Sequence, residues 1–333
     1  MDFSKLEEIL QDEPSFRRRQ ILEAVFEKLI SDWQEATNLP QKLKQKLEKK
    51  FPLTIKGEFL ESEQKNVSKG VIHLEEDRKI ETVLMRHQER NTVCVSTQLG
   101  CALACDFCLT AKMGFVRNLT AGEILSQVLF FARKLKQEQE RVSNVVFMGM
   151  GEPFYNYDEF VKAFRVMNQN MGIGARKISV STVGIIPGIQ RLAEETEQVN
   201  LAVSLHAPTN ELRSKLMPIN NKYPLEELLS AVREYFQKTK RKVMIEYLML
   251  EEVNDSPEQA KQLADLLISE LGNNFMVNLI SYNPTGKYKS SSPARIGEFR
   301  KVLEKGHRID TVQRYKFGQD IKGACGQLAG ESE

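Results

Sequence analysis

Apolar positions in the first sixty residues recur at helical spacing. In "RRQILEAVFEKLISDW" Ile21, Leu22, Val25, Phe26 and Leu29 fall at i, i+3 and i+4, and "LPQKLKQKLEKKF" repeats an apolar stripe against a lysine-rich face. That pattern predicts a small helical module. From about Leu60 to Arg90 the period shortens, and "GVIHLEE" and "RKIETVLM", bounded by glycine and charged clusters, predict a hairpin or small sheet. From Asn91 onward, short apolar runs alternate with amphipathic ones. The strand candidates are "TVCVSTQ", "NVVFMGM", "KISVST", "VNLAVSL", "KVMIEYLML", "FMVNLISY" and "DTVQRYKF"; helix candidates between them include "AGEILSQVLFFARKLKQ", "SPEQAKQLADLLISEL" and "PARIGEFRKVLEK". Such alternation predicts an α/β fold, a parallel sheet with helices outside, and six or seven units suggest a full or partial barrel. In barrels of this kind the chemistry gathers at the C-terminal ends of the strands.

The 333 residues, 41% of them hydrophobic, can bury a large core. By pattern they divide into a helical accessory domain over 1–60, a short β connector over 61–90 and a barrel core over 91–330. No basic stretch followed by an apolar one opens the chain, and nowhere do about 18 apolar residues run together, so a soluble cytoplasmic protein without membrane contact is expected. In a reducing compartment its five cysteines are ligands or reactive groups sooner than structural disulfides. The net charge of +2 says little about partners by itself. The one long polar connection, "YNPTGKYKSSSPAR", is a candidate functional loop.

Three of the five cysteines, Cys101, Cys105 and Cys108, crowd into "GCALACDFCLTAKMGF" with C-x3-C-x2-C spacing. Inert buried thiols fit poorly with the surrounding Gly, Asp and Ala, which read as a loop. A structural zinc site wants a fourth ligand and usually paired C-x2-C units. An iron-sulfur cluster is the best fit. Three thiolates leave one of four irons open for a small molecule, as a catalytic metal site leaves a position open for its substrate.

This spacing, just after the first barrel strand, resembles the radical S-adenosylmethionine (SAM) superfamily, whose fold is a partial (β/α)6-type barrel, here with a small N-terminal helical domain. The resemblance implies a 4Fe-4S cluster on Cys101, Cys105 and Cys108, with SAM on the open iron. "GMGEP" follows the next strand, and its Gly151 and Glu152 match the segment that holds the SAM amino group. Further strand ends, "SVSTVG", "SLHAP" and "SYNP", offer Ser181, Ser204, His206 and Asn283 as polar contacts. As isolated residues these are more often caps or satisfied core groups; the resemblance makes them, with Leu205, SAM-binding positions. More narrowly, "CVSTQLGCALACDFC", "GFVRNLT", "FMGMGEP", "SLHAPTNELRSKLMPIN", "IEYLML" and "DIKGACGQLAG" are similar to the RNA adenosine C-2 methyltransferases of the RlmN family, over essentially residues 70 to 330.

Carbon 2 of adenine is not nucleophilic, so a polar attack on the SAM methyl group is unavailable and the cofactor must open a radical route. The resemblance implies two SAM molecules and two further cysteines. Cys325 in "GACGQL" takes a methyl group by thiolate displacement. The methyl carbon, made a radical, joins the base, and Glu81 in "IETV" takes the C-2 proton. Cys94 then attacks the sulfur of Cys325, releasing product and leaving a disulfide for an external reductant. Read alone, Cys94 is a small buried strand residue and Glu81 a surface carboxylate. The implied partners are 23S rRNA and possibly tRNA, together with an electron donor such as flavodoxin or ferredoxin; the chain is expected to be a monomer. Charge gives modest support: residues 284–322 hold ten Lys or Arg against four Asp or Glu, "QKLKQKLEKK" adds a second basic face, and Tyr282 and Tyr288 are candidate stacking aromatics. Two other readings stay open at this point. One is methylation at carbon 8 of the same adenosine; the other is a non-catalytic iron-sulfur RNA-binding protein that uses Cys94 and Cys325 as a redox switch.

Overall fold

The computed structural model describes residues 3–314 and 318–329. Twelve strands are present among them: β1 (Gly57–Glu61), β2 (Val67–His73), β3 (Lys79–His87), β4 (Arg90–Val95), β5 (Gln98–Gly100), β6 (Phe115–Asn118), β7 (Asn144–Phe147), β8 (Ile178–Thr182), β9 (Asn200–Ser204), β10 (Val243–Met249), β11 (Phe275–Ser281) and β12 (Thr311–Gln313). Ten form one sheet in the order β1-β2-β3-β4-β7-β8-β9-β10-β11-β12, while β5 and β6 pair separately as a small ribbon. Pairing is antiparallel from β1 to β4 and parallel from β4 to β12. The parallel portion is the expected partial barrel, with helices following its strands.

Strands β10 and β11 are buried along almost their whole length, because helices cover the outside while the inside faces the barrel. The covering helices carry clear start signals. Thr120 and Glu123 form a capping box at Ala121–Gln137, and Ser256 with Gln259 does the same at Pro257–Leu271. The first of these helices turns Ile124, Leu125, Val128, Leu129, Phe131 and Leu135 into the core.

Two expectations change in detail. The hairpin or small sheet expected before Arg90 is hydrogen-bonded onto β4, so it extends the barrel sheet. The last strand candidate, "DTVQRYKF", is reduced to the three residues of β12, and its Tyr315, Lys316 and Phe317 lie outside the described residues. Beyond them the chain, residues 318–329, returns across the open side of the sheet. Asp320 accepts from the Glu63 N–H at 2.8 Å near one edge, and Gln319 donates to Asn283 Oδ1 at 2.7 Å near the other. This return brings the C-terminal cysteine to the barrel.

The N-terminal helices Phe3–Gln11, Ser15–Phe26 and Gln41–Lys50 pack around the fully buried Trp33, whose indole N–H donates to the Phe51 carbonyl at 2.9 Å. They are tied to the barrel through Ala121–Gln137. Arg133 donates to the carbonyls of Ile30 at 2.6 Å and Leu53 at 2.7 Å, and Lys136 to that of Lys28 at 2.6 Å. Hydrogen bonds from a charged donor contribute about 1.5–3 kcal/mol each. Arg133→Ala should therefore loosen this junction by about 2–4 kcal/mol, read as faster limited proteolysis between residues 27 and 32 with the barrel fragment left intact.

Candidate active site

The carboxyl ends of the parallel strands surround one cavity with about 200 Å³ open to the centres of water-sized molecules. Its wall gathers residues from both ends of the sequence: Cys94 from β4, the loop of Cys101, Cys105 and Cys108, and Cys325 from the returning C-terminal segment. All five cysteines are free thiols, so the expected Cys94–Cys325 disulfide is not formed here.

The three-cysteine loop is built between β5 and the short helix Leu109–Lys112. Gly100 opens it at φ +73°, where a Cβ would fall 1.8 Å from the Gly114 carbonyl oxygen, so only glycine fits. Cys101 N–H donates to that same carbonyl at 2.9 Å, and Cys108 N–H to Cys105 O at 3.1 Å. Cys101 and Cys105 are buried and Cys108 half-buried. Burial pushes Cys101 up to about 11 and Cys105 well up from the ordinary thiol value, and each thiol's charge weighs further against its neighbours. Cys101 and Cys105, so buried, lose their protons together only around a strongly cationic group, which is the fit expected of an iron-sulfur cluster. Among the described residues no three His, Cys, Asp or Glu side chains converge on a point that one metal ion could occupy. A multi-iron cluster would not require that convergence.

Glu152 faces this loop. Its Oε1 accepts from the Phe154 N–H at 3.0 Å and its Oε2 from the Val183 N–H at 2.9 Å, while its own N–H donates to Gln98 Oε1 at 2.8 Å. Gly151 before it has φ +93°, and a Cβ there would meet Gln98 at 2.4 Å. Burial pushes Glu152 up to about 7, against hydrogen bonds that favour the ionised form. A buried carboxylate of this kind is suited to a cationic ligand.

His206 is buried at φ +60°, a conformation costly for any side chain and held by its surroundings. Its Nδ1 accepts from the Leu248 N–H at 3.1 Å, and burial pushes it down to about 3. The ring is therefore neutral, with its proton on Nε2. Ser181 and Ser204 both donate to Glu246 Oε2, at 2.7 Å and 3.4 Å. Asn283 donates to the Cys325 carbonyl at 3.2 Å. The cysteine segment is further held by Leu109 N–H to Gly326 O at 2.9 Å and by the Thr110 hydroxyl to Leu328 O at 2.6 Å.

Three sequence expectations are placed differently. Leu205 is fully buried and does not line the cavity; its N–H donates to Glu246 O, so only its backbone is near the site. Glu81 also lies off the cavity wall, 1% exposed, with Oε1 accepting from Lys69 Nζ at 2.8 Å and Oε2 from the Ala329 N–H at 2.8 Å. It shares a face of β3 with Val83 and Met85, which do line the cavity. Tyr282 and Tyr288 are not free stacking surfaces. Tyr282 is 1% exposed and exchanges a hydrogen bond with Thr285, and the Tyr288 hydroxyl donates to Asp106 at 2.5 Å. With Lys287, which also pairs with Asp106, and Thr285, which donates to Phe107 O at 3.0 Å, they fasten the long polar loop to the cysteine loop.

Sequence reasoning also missed Glu246 and Arg314, both on the cavity wall. A carboxylate inside the apolar run "IEYLML" and an arginine inside the strand candidate "DTVQRYKF" were the available signals.

Thiols spaced for a cluster, at the carboxyl edge of an open parallel barrel and beside a buried carboxylate, define a class of protein, the radical SAM enzymes. The profile described as "Radical SAM superfamily" matches residues 95–267. A crystal structure of a radical SAM methyltransferase from Sphaerobacter thermophilus superposes with TM-score 0.93 at 42% identity, covering 99% of this chain and 98% of that one. A "Probable dual-specificity RNA methyltransferase RlmN" from Dictyoglomus thermophilum is 43% identical, over 98% of this chain and 94% of its own length. A "Ribosomal RNA large subunit methyltransferase N" from Nitrosopumilus maritimus is 42% identical, over 94% and 92%. The chain belongs to the radical SAM superfamily and, within it, to the RlmN family, and is an enzyme of the radical SAM methyltransferase type. The superfamily implies a 4Fe-4S cluster and SAM. No helix among the described residues is long and apolar enough to cross a membrane.

The pH dependence of stability should report Glu152. Its folded value, about 7, lies above its ordinary value of 4.5. Proton binding to the folded form thus stabilises fully below 4.5, and that stability is lost as pH rises through 7. In protein free of SAM, the thermal midpoint should fall between pH 5 and pH 8 by several degrees more in the wild type than in Glu152→Gln. Parallel curves for the two proteins would show that Glu152 is not the titrating group.

Proposed function

We propose that this enzyme methylates carbon 2 of a specific adenosine in 23S rRNA, at the peptidyl transferase centre, and of an anticodon-loop adenosine in tRNA, using two SAM molecules and a methyl-Cys325 intermediate. The observation that carries this reading is that Cys94 and Cys325, from opposite ends of the chain, line one cavity with the three-cysteine loop. A single cluster per chain sits on Cys101, Cys105 and Cys108. Gly151, Glu152, Ser181, Ser204, the Leu205 backbone, His206 and Asn283 would hold SAM, the Glu152 carboxylate suiting its cationic amino group. When bound, cluster and SAM supply the transferable methyl group and the one-electron chemistry that an unreactive aromatic carbon demands.

The chain's own residues do the rest. Cys325 receives the methyl group on sulfur and carries it to the base. Glu81 takes the proton from carbon 2 once the Ala329 N–H has left its Oε2, since in the arrangement described that oxygen is occupied. Cys94 frees the product by attacking the Cys325 sulfur, which yields a disulfide that external thiol reduces. The adenosine reaches the cavity extruded from its helix or loop, at a cost of about a few kcal/mol. The helical domain over 1–60 contacts the RNA through its lysine-rich face, and a flavodoxin or ferredoxin supplies electrons to a monomeric, cytoplasmic enzyme.

Two substitutions of similar size should have unlike outcomes. Cys325→Ala should abolish methyl transfer to protein and RNA together. Cys94→Ala should leave Cys325 able to join the base but unable to let go, so purified protein carries covalently bound RNA on a denaturing gel, with the adduct mapping to the Cys325 peptide. A crosslink that survives loss of Cys325 would reverse the two roles. Nucleoside mass spectrometry of rRNA and tRNA, from cells with and without the gene, should show 2-methyladenosine depending on it. If only 8-methyladenosine appears, the target carbon is wrong while the chemistry of the site stands.

A further inference from the structure

The cavity wall holds an ion pair with no role in the scheme above. Arg314 follows β12 directly, and its Nη1 lies 3.7 Å from Glu246 Oε1, too far for a hydrogen bond. The same nitrogen donates to Met148 Sδ at 3.3 Å, and a thioether is a weak acceptor. Glu246 Oε1 is buried without a hydrogen-bond partner among the described residues. Glu246 thus keeps an unused acceptor on the wall of the cavity that also holds Arg314, Cys94 and Cys325. Among the described residues lining that cavity, Arg314 is the permanent cation: no lysine lines it, and His206 is neutral.

The two thiols need such a cation. A sulfur attacks as thiolate, not as thiol. Burial pushes Cys94 up to about 12, with Cys325 and Glu246 adding to the rise and Arg314 and the Met148 N–H opposing it. Arg314 in turn is held toward its charged form by Cys325 first, against desolvation, and then by Glu246 and Cys94. The remaining β3 neighbours on this wall, Val83 and Met85, carry no charge. One guanidinium thus shares this wall with two thiols, and charge on Cys325 weighs against charge on Cys94.

We propose that Arg314 is the positioning residue of the two-thiol wall: held beside Met148, its guanidinium is the counter-charge first for the thiolate of Cys325 and later for that of Cys94. This rests on the methyltransferase reading, which assigns both sulfurs a nucleophilic role. It adds that a single cation serves both in turn, so the two thiols ionise alternately. The guanidinium keeps its hydrogen bond to Met148 Sδ when the Glu246 charge is removed, so that charge acts on the thiols by opposing their ionisation.

The test reads thiol ionisation without turnover. The cluster-loaded enzyme, prepared anaerobically without added SAM, is treated with iodoacetamide across pH 6 to 10, and the Cys325 peptide is followed by mass spectrometry in chains where that sulfur carries no methyl group. Arg314→Met should slow alkylation at pH 7.5 about tenfold, recovered by raising the pH about one unit. Arg314→Lys, which restores the charge, should stay within about threefold of wild type. Glu246→Gln, which keeps an acceptor for Ser181 but removes the negative charge, should speed alkylation. Opposite signs from the two halves of one ion pair are not what a merely structural role produces. An unchanged rate and pH profile in Arg314→Met would overturn the proposal. Should that variant fail to fold, slower alkylation in Glu246→Gln would overturn it equally. Separate exposure of wild-type enzyme to SAM tests the reading underneath: no methyl group on Cys325 there would sink that reading and leave the alkylation result standing.

Discussion

Desolvation of charge at the barrel mouth is the constraint on which this molecule is organised. Radical chemistry calls for a site that excludes water, yet the cavity at the strand ends is lined by ionisable groups. Thiols, a carboxylate and an imidazole are all moved by burial away from their ionised forms here: Cys94 up to about 12, Glu152 up to about 7 and His206 down to about 3. Each then needs a fixed partner or a bound ligand. Glu152 has backbone N–H groups and lines the cavity, the family implies a cluster for the cysteine loop, and Arg314 shares the wall with Cys94 and Cys325.

Partners of that kind act only if the backbone keeps them in place, and the stitching is dense. The cysteine loop is bound to the β5–β6 ribbon through Gly114, to the polar loop through Asp106 and Phe107, and to the C-terminal return through Leu109 and Thr110. Behind the cavity, Arg213 spans the ends of two strands. Fully buried, it donates through Nη2 to Val183 O at 2.6 Å and Ser204 O at 3.5 Å, and through Nη1 to Asn220 Oδ1 and Tyr223 O. Burial pushes this guanidinium down to about 10, so it remains charged near neutrality. It joins the segment after β9 to the strand ends that carry Ser181 and Ser204.

The return of the chain across the open barrel has a second consequence. The same few residues deliver Cys325, occupy Asn283 and cap Glu81. Access to the buried carboxylate, placement of the thiol and closure of the open side are therefore coupled through one segment, and a motion that frees any of them disturbs the others.

Much of this was legible in the sequence for local reasons. Period-3.6 and near-continuous apolar runs are properties of single segments, so the helical module, the barrel strands and the long helices could be read directly. The three-cysteine spacing is likewise a local pattern, as is the glycine pair around it, since a positive φ is imposed within a few residues. Pairing and burial were not local. That β1 to β3 continue the barrel sheet depends on which edge of β4 was free; that Glu81 sits behind the cavity depends on Lys69 across a strand pair and on Ala329 from the far end of the chain. Tyr282 and Tyr288 look like exposed aromatics in a polar loop until the loop folds onto Asp106. Glu246 and Arg314 carry chemistry only because β10 and β12 turn them into the same space as two cysteines from opposite ends of the sequence. The sequence by itself determined which elements form and which thiols cluster. Tertiary structure decided which charges are buried together, because desolvation and Coulomb interaction depend on distance in space and not along the chain.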